Sequence, residues 1–203
     1  MTFFPHAYSR HLLSNPTLFF ALSLSMMLHT ASTSTTGKFV HVPASSLFVS
    51  TPPPSHFGND PNEVAHAAWS EKNWLKSRFH FSFAEYYDPD RSSFGVLRVL
   101  NDDLVQPMRG FGFHPHRDME IVTYVVDGEL THRDRMGKGR EETLPAGSVQ
   151  YMTAGSGVMH SEHNLCADRP LRFIQIWIKP NAYGLPPNYG SMRADPAAPR
   201  NTF

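Results

Sequence analysis

Apolar and polar positions alternate repeatedly along the later part of this 203-residue chain. Phe79, Phe81 and Phe83 alternate with His80, Ser82 and Ala84, the period-two pattern of a strand with one buried face, and Asp88-Pro89-Asp90 reads as the turn that closes it. Residues 95–100 form a second strand candidate, with Asn101-Asp102-Asp103 after it as turn chemistry, because short polar side chains bond their own backbone. Residues 121–126 are almost wholly β-branched or apolar and predict a buried strand; Asp127-Gly128 supplies the positive φ of a hairpin turn, and 129–133 returns as the partner strand. Residues 144–152 read as turn then strand, and 173–179 as a further strand. The weak alanine-rich pattern over 63–69 supports at most a short helix. Many short strands with Gly and Pro punctuation predict an all-β fold, a barrel or jelly roll.

Composition narrows the picture. The chain is 40% hydrophobic, 18% charged and formally neutral, which suits a soluble globular domain, carries no nucleic-acid footprint and excludes a membrane-embedded protein. Residues 1–59 contain no Asp or Glu, are rich in Ser, Thr and Pro, and hold an apolar run over 18–28. That run is too short to span a bilayer but has the length of a signal-peptide core, so the segment is expected to be a disordered, targeting-like extension with a secretory or plastid address; without it the protein would be cytoplasmic or nuclear. The prolines of 51–55 read as a linker, placing the folded domain at 60–180 and leaving 181–203 as loop and frayed tail. The single Cys166 cannot form an internal disulfide.

Candidate chemistry concentrates in residues 113–164, which hold His114-Pro115-His116 and His160-Ser161-Glu162. Residues two apart on a strand point to the same face, so each pattern can aim two side chains at one point inside a barrel. Three imidazoles and a carboxylate suit one divalent ion, with Fe, Ni, Cu, Mn and Zn all compatible with the donors. His132, on the return strand, and His163, next to Glu162, are expected to face solvent. Arg133, Arg135 and the residues after them read as an exposed loop.

The run from Gly112 through His114-Pro115-His116-Arg117-Asp118-Met119-Glu120 to Val125 resembles a signature of the pirin family of cupins. So does the run from Gln150 through Met159-His160-Ser161-Glu162, and similarity extends from Trp74 to Ser191. Length leaves room for one folded domain, and the resemblance implies that it is a cupin-type β-barrel (double-stranded β-helix) with iron, or another divalent metal, held by His114, His116, His160 and Glu162. It also implies an oxidoreductase of the quercetin 2,3-dioxygenase kind, opening a flavonol or related small-molecule enol with O2, with Glu162 as the catalytic base. The alternatives it leaves are a metal-binding regulator or transcription cofactor without turnover, and an inactive shortened paralogue. Broader cupins often take their glutamate from the first motif, with four residues between it and the histidine pair; here only three separate Glu120 from His116, as in pirins, and Glu120 is expected to support a ligand from behind or to orient an imidazole instead. Pirins usually continue into a second cupin-like domain, so an uncovered face and self-association are expected of this chain.

Overall fold

A computed structural model describes residues 41–60, 73–136 and 139–195. The strands are β1 (Phe48–Ser50), β2 (Leu75–Phe79), β3 (Leu97–Val105), β4 (Arg109–His116), β5 (Glu120–Asp127) and β6 (Glu129–Asp134). They continue with β7 (Arg140–Pro145), β8 (Val149–Thr153), β9 (Val158–Asn164), β10 (Leu171–Ile178) and β11 (Asn188–Met192). One sheet has the order β1-β2-β3-β10-β5-β8-β11 and the other β4-β9-β6-β7, and every pairing is antiparallel. The expected cupin barrel therefore takes the form of two sheets sharing one interior. Among the described residues no helix is long and apolar enough to cross a membrane.

Inward positions on facing strands stack in layers. Leu130 and Leu144 from the four-stranded sheet pack with Trp74, Val105, Val125, Leu171 and Phe173 in one apolar cluster. Ile121, Met152, Ala154, Val158 and Tyr189 form another. Each such side chain, taken fully out of water, contributes roughly 1.5–3 kcal/mol, so the two clusters hold the sheets together. Between them the strand register places a polar rung, Asn101–Gln175–Thr123–Gln150, across β3, β10, β5 and β8. Glu162 and His132 stand opposite each other on β9 and β6.

Several local expectations change once tertiary pairing is visible. The Asp127-Gly128 turn exists, with Gly128 at φ 79° and its amide donating to Asp127 Oδ1, but β5 and β6 belong to different sheets. The turn is a corner between sheets, and a Cβ on Gly128 would collide with the backbone of Pro170 and Leu171. Asn101-Asp102-Asp103 is the middle of β3, not a turn. Arg172 makes a bidentate pair with Asp102 at 2.8 Å for both bonds, while Asn101 and Asp103 face the interior. The Phe79–Phe83 alternation is not a strand beyond Phe79; Ala84 at φ 47° turns the chain, and Phe83 packs edge-on against both Phe79 and Trp177.

The expected folded span of 60–180 is too narrow at both ends. β1 pairs with β2, and the proline run is docked, since Pro52 O accepts from Trp74 Nε1 at 3.0 Å and Asn73 Nδ2 at 2.9 Å. Asn59 bridges to β4 by giving its Nδ2–H to Gly110 O and taking Gly110 N–H on its Oδ1. In the expected tail, β11 pairs with β8 and buries Tyr189. A proline run and a sequence without periodicity conceal this docking because the partners lie far along the chain. The targeting-like run at 18–28 and the helix expected over 63–69 fall outside the described residues.

Candidate metal centre

The centre is built on the β4–β9 pair. A register irregularity between Phe111 and His114 re-aims the end of β4, after which His114 lies directly opposite His160. His116 follows on the same face, and its ring centroid is 4.7 Å from both His114 and His160. One nitrogen from each of the three imidazoles lies within 4.8 Å of the others. His114 Nε2 and His160 Nε2 are 3.0 Å apart.

Hydrogen bonding fixes which lone pair is offered. His114 Nδ1 faces the Gly112 carbonyl at 2.7 Å and must donate to it, which leaves Nε2 bare and aimed at the cluster. Burial, and then the neighbouring imidazoles, hold His116 down at about 3 and push His160 further below the usual range; burial also lowers His114. All three are neutral at pH 7, as metal ligation requires. His160 Nδ1 is buried without a hydrogen-bond partner. Two nitrogens at 3.0 Å match neighbouring ligands each about 2.0–2.1 Å from one ion. The donor set fits a divalent metal.

Glu162 lies one rung deeper, with 3% of its surface exposed. Its Oε1 accepts from Gln150 Nε2 at 2.6 Å, and its Oε2 from Gln175 Nε2 at 3.0 Å. Thr123 orders this cradle: its hydroxyl donates to Gln175 Oε1 at 2.9 Å and accepts from Gln150 Nε2 at 3.2 Å. Tyr189 OH lies 3.1 Å from Gln150 Oε1, so the amide turns its N–H toward the carboxylate. Burial, and then the charge of Asp103, raise Glu162 to about 7 against these stabilising bonds. Asp103 is itself raised to about 7 by burial.

The sequence-predicted residues thus divide. His114, His116 and His160 come together; Glu162 groups with His160 and His132 instead, within 4.8 Å. His132 is not exposed as expected but wholly buried, stacked on Tyr189 at 4.4 Å, with Nε2 3.2 Å from Asp134 Oδ2. His163 is partly buried on the opposite side of β9. Glu120 orients no imidazole; its carboxylate accepts from Thr153 Oγ1 at 2.6 Å. Sequence reasoning missed Thr123, Gln150, Gln175 and Tyr189, although a polar residue at an inward position between buried apolar ones was a readable signal. It also missed Phe57 and Trp177, whose rings lie 5.4 Å from His114 and 4.8 Å from His116. Beside His116 an open cleft of about 730 Å³ runs between Arg117, Arg135, Met136 and Met159.

A two-sheet cupin fold with an inward cluster of histidines defines the class. The chain belongs to the pirin family, whose model (Pirin) matches residues 62–178. It is 52% identical over 123 residues to a pirin-like protein of Caulobacter vibrioides, covering 60% of this chain and 51% of that one. It is 48% identical over 134 residues to the quercetin 2,3-dioxygenase of Escherichia coli K12, covering 66% and 56%. The crystal structure of the bacterial pirin YhhW of Escherichia coli in complex with nickel(II) superposes with a TM-score of 0.57 at 48% identity, over 59% of this chain and 51% of that one. The chain spans about half the length of the curated relatives it matches.

Proposed function

We propose that this protein is a metal-dependent dioxygenase that opens a flavonol or a related enol with O2. The observation that carries this reading is the convergence of three neutral imidazoles beside an open cleft, with a buried carboxylate one rung below. The name of the Escherichia coli dioxygenase and the nickel complex of its bacterial pirin support it. His114, His116 and His160 would hold the ion, and Glu162 would join them; iron is the metal proposed, with Ni, Cu, Mn and Zn compatible with the same donors. When bound there, a divalent metal supplies Lewis acidity that lowers the pKa of an enol hydroxyl.

The protein's own groups do the rest. The cleft admits a planar substrate to the His116 side of the cluster. Glu162, balanced near neutrality between burial and its amide donors, is suited to take and return the enol proton at a carboxylate oxygen. Gln150 and Gln175 keep that carboxylate facing the interior, and Trp177 packs edge-on against the His116 ring at 4.8 Å.

Oxygen consumption by the iron-loaded full chain with quercetin tests the reading. Glu162→Gln should keep bound metal while turnover falls by about 10²–10⁴, the usual worth of a general base. Glu120→Gln, altering a group bonded to Thr153, should leave both unchanged. If the two variants exchanged behaviour, the assignment of Glu162 would be wrong. Protein that binds metal yet consumes no oxygen with quercetin or related enols would instead be a metal-binding regulator.

A further inference from the structure

The cleft carries charge that the centre does not use. Arg117 follows directly after β4 and Arg135 directly after β6, so both guanidinium groups emerge at the same end of the four-stranded sheet and line the cleft beside His116. Arg117 Nη2 reaches over Gly157: a Cβ built there would stand 3.7 Å away. Arg135 lies over the Phe113 ring, 4.5 Å from its centroid, and its backbone N–H donates to Met159 O, so its position is pinned without using the in-plane N–H groups.

Among the described residues, no Asp or Glu lines the cleft. The nearby carboxylates are engaged elsewhere. Asp118 accepts from Gly184 N, Asp134 faces His132 and accepts from Met136 N, and Glu120 accepts from Thr153. Among the described residues, two positive charges thus share a concave surface without a lining counter-charge, an arrangement that raises the local concentration of anions. Apart from His116, the rest of the lining is apolar, with Met136, Val158, Met159 and Pro187 offering the surface a flat ring requires.

We propose that the cleft selects an anionic substrate: an aromatic enol or phenol bearing a carboxylate, its ring against the methionine and proline wall and its carboxylate between Arg117 and Arg135. With the oxygenase reading above, on which the orientation rests, the hydroxyl then points toward His116. An uncharged flavonol would fill the apolar wall and leave both arginines without a partner.

Calorimetric titration of the metal-free full chain with para-hydroxybenzoate and para-hydroxybenzamide tests this, because the two probes share ring and hydroxyl and differ in charge. We expect the acid to bind at least about tenfold more tightly than the amide, the advantage of a charge-assisted, bidentate contact, and added salt to reduce that preference. The double variant Arg117→Gln/Arg135→Gln should lose the preference, and Arg117→Lys/Arg135→Lys should retain part of it, since lysine keeps the charge without the fork. Equal affinity for the two probes, no binding of either at millimolar concentration, or an undiminished preference in the double glutamine variant would each overturn the proposal. The titration needs neither metal nor turnover. Discrimination without oxygen consumption would sink the oxygenase reading alone, and oxygen consumption without discrimination would sink this one alone.

Discussion

Two sets of polar side chains occupy neighbouring rungs of one interior and differ in how fully they are satisfied. In the outer rung, His114, His116 and His160 face one another with lone pairs converging, and His160 Nδ1 has no partner. In the inner rung, Glu162 receives two amide bonds, and the amides are in turn fixed by Thr123 and Tyr189. Burying an unpaired polar group costs about 1–3 kcal/mol, so a fold that leaves His160 Nδ1 unpaired while giving both Glu162 oxygens an amide donor treats the two groups differently. On the proposed reading the outer rung would offer its nitrogens to an ion, and Glu162 would have to give up part of its amide cradle to join it.

The largest test of that contrast removes the outer histidine that lies within 4.8 Å of both groups. His160→Ala should reduce metal affinity by more than the about 10–100-fold that losing an outer partner costs, as read by metal content after dialysis. Retention of stoichiometric metal would show that the outer rung is not the binding locus. Gln150→Leu should be intermediate: one Glu162 oxygen loses its shortest bond, so unfolding free energy should fall by about 1–3 kcal/mol and metal affinity shift while the three imidazoles remain. An unchanged denaturation midpoint would mean that the cradle carries no strain-free support.

The smallest expected effect is on pH dependence, where the rungs pull in opposite directions. His116, at about 3 in the fold against 6.5 unfolded, contributes stability that is complete above pH 6.5 and lost as pH falls toward 3; His114, His132 and His160 shift the same way. Asp103 and Glu162, raised to about 7 from 3.8 and 4.5, contribute stability present at acid pH and lost as pH rises through 7. With His163 lowered as well, five imidazoles outweigh two carboxyls, so the melting temperature of metal-free protein should fall between pH 7 and pH 5. A rise over that interval would mean that the carboxylate rung dominates.

β5, β6, β8 and β10 and the inward pairing of His114 with His116 were legible because a period of two is a property of the strand itself; β7, whose Leu144-Pro145 reads as a turn, was not. What the sequence hid was tertiary. Asp127-Gly128 needs the same positive φ whether it closes a hairpin or turns a corner between sheets, so the local signal could not say where β6 would pair. Asn101 and Asp103 have turn chemistry, yet cross-strand partners on β2 and β10 hold them extended. His132 is buried because β6 lies against β9, and Tyr189 because β11 adds to β8; neither segment announces its partner.

The placement of Tyr189 has a consequence for the order of assembly. Its ring covers His132, 57 positions earlier, and its hydroxyl approaches Gln150, 39 positions earlier. Phe57 reaches forward by the same 57 positions to His114. Contacts of such sequence separation close large loops and form slowly, typically in milliseconds to seconds for β-rich domains. The early and late segments therefore meet the centre only after the sheets between them have paired, and a ribosome-bound chain acquires a finished inner rung only once Tyr189 has left the exit tunnel.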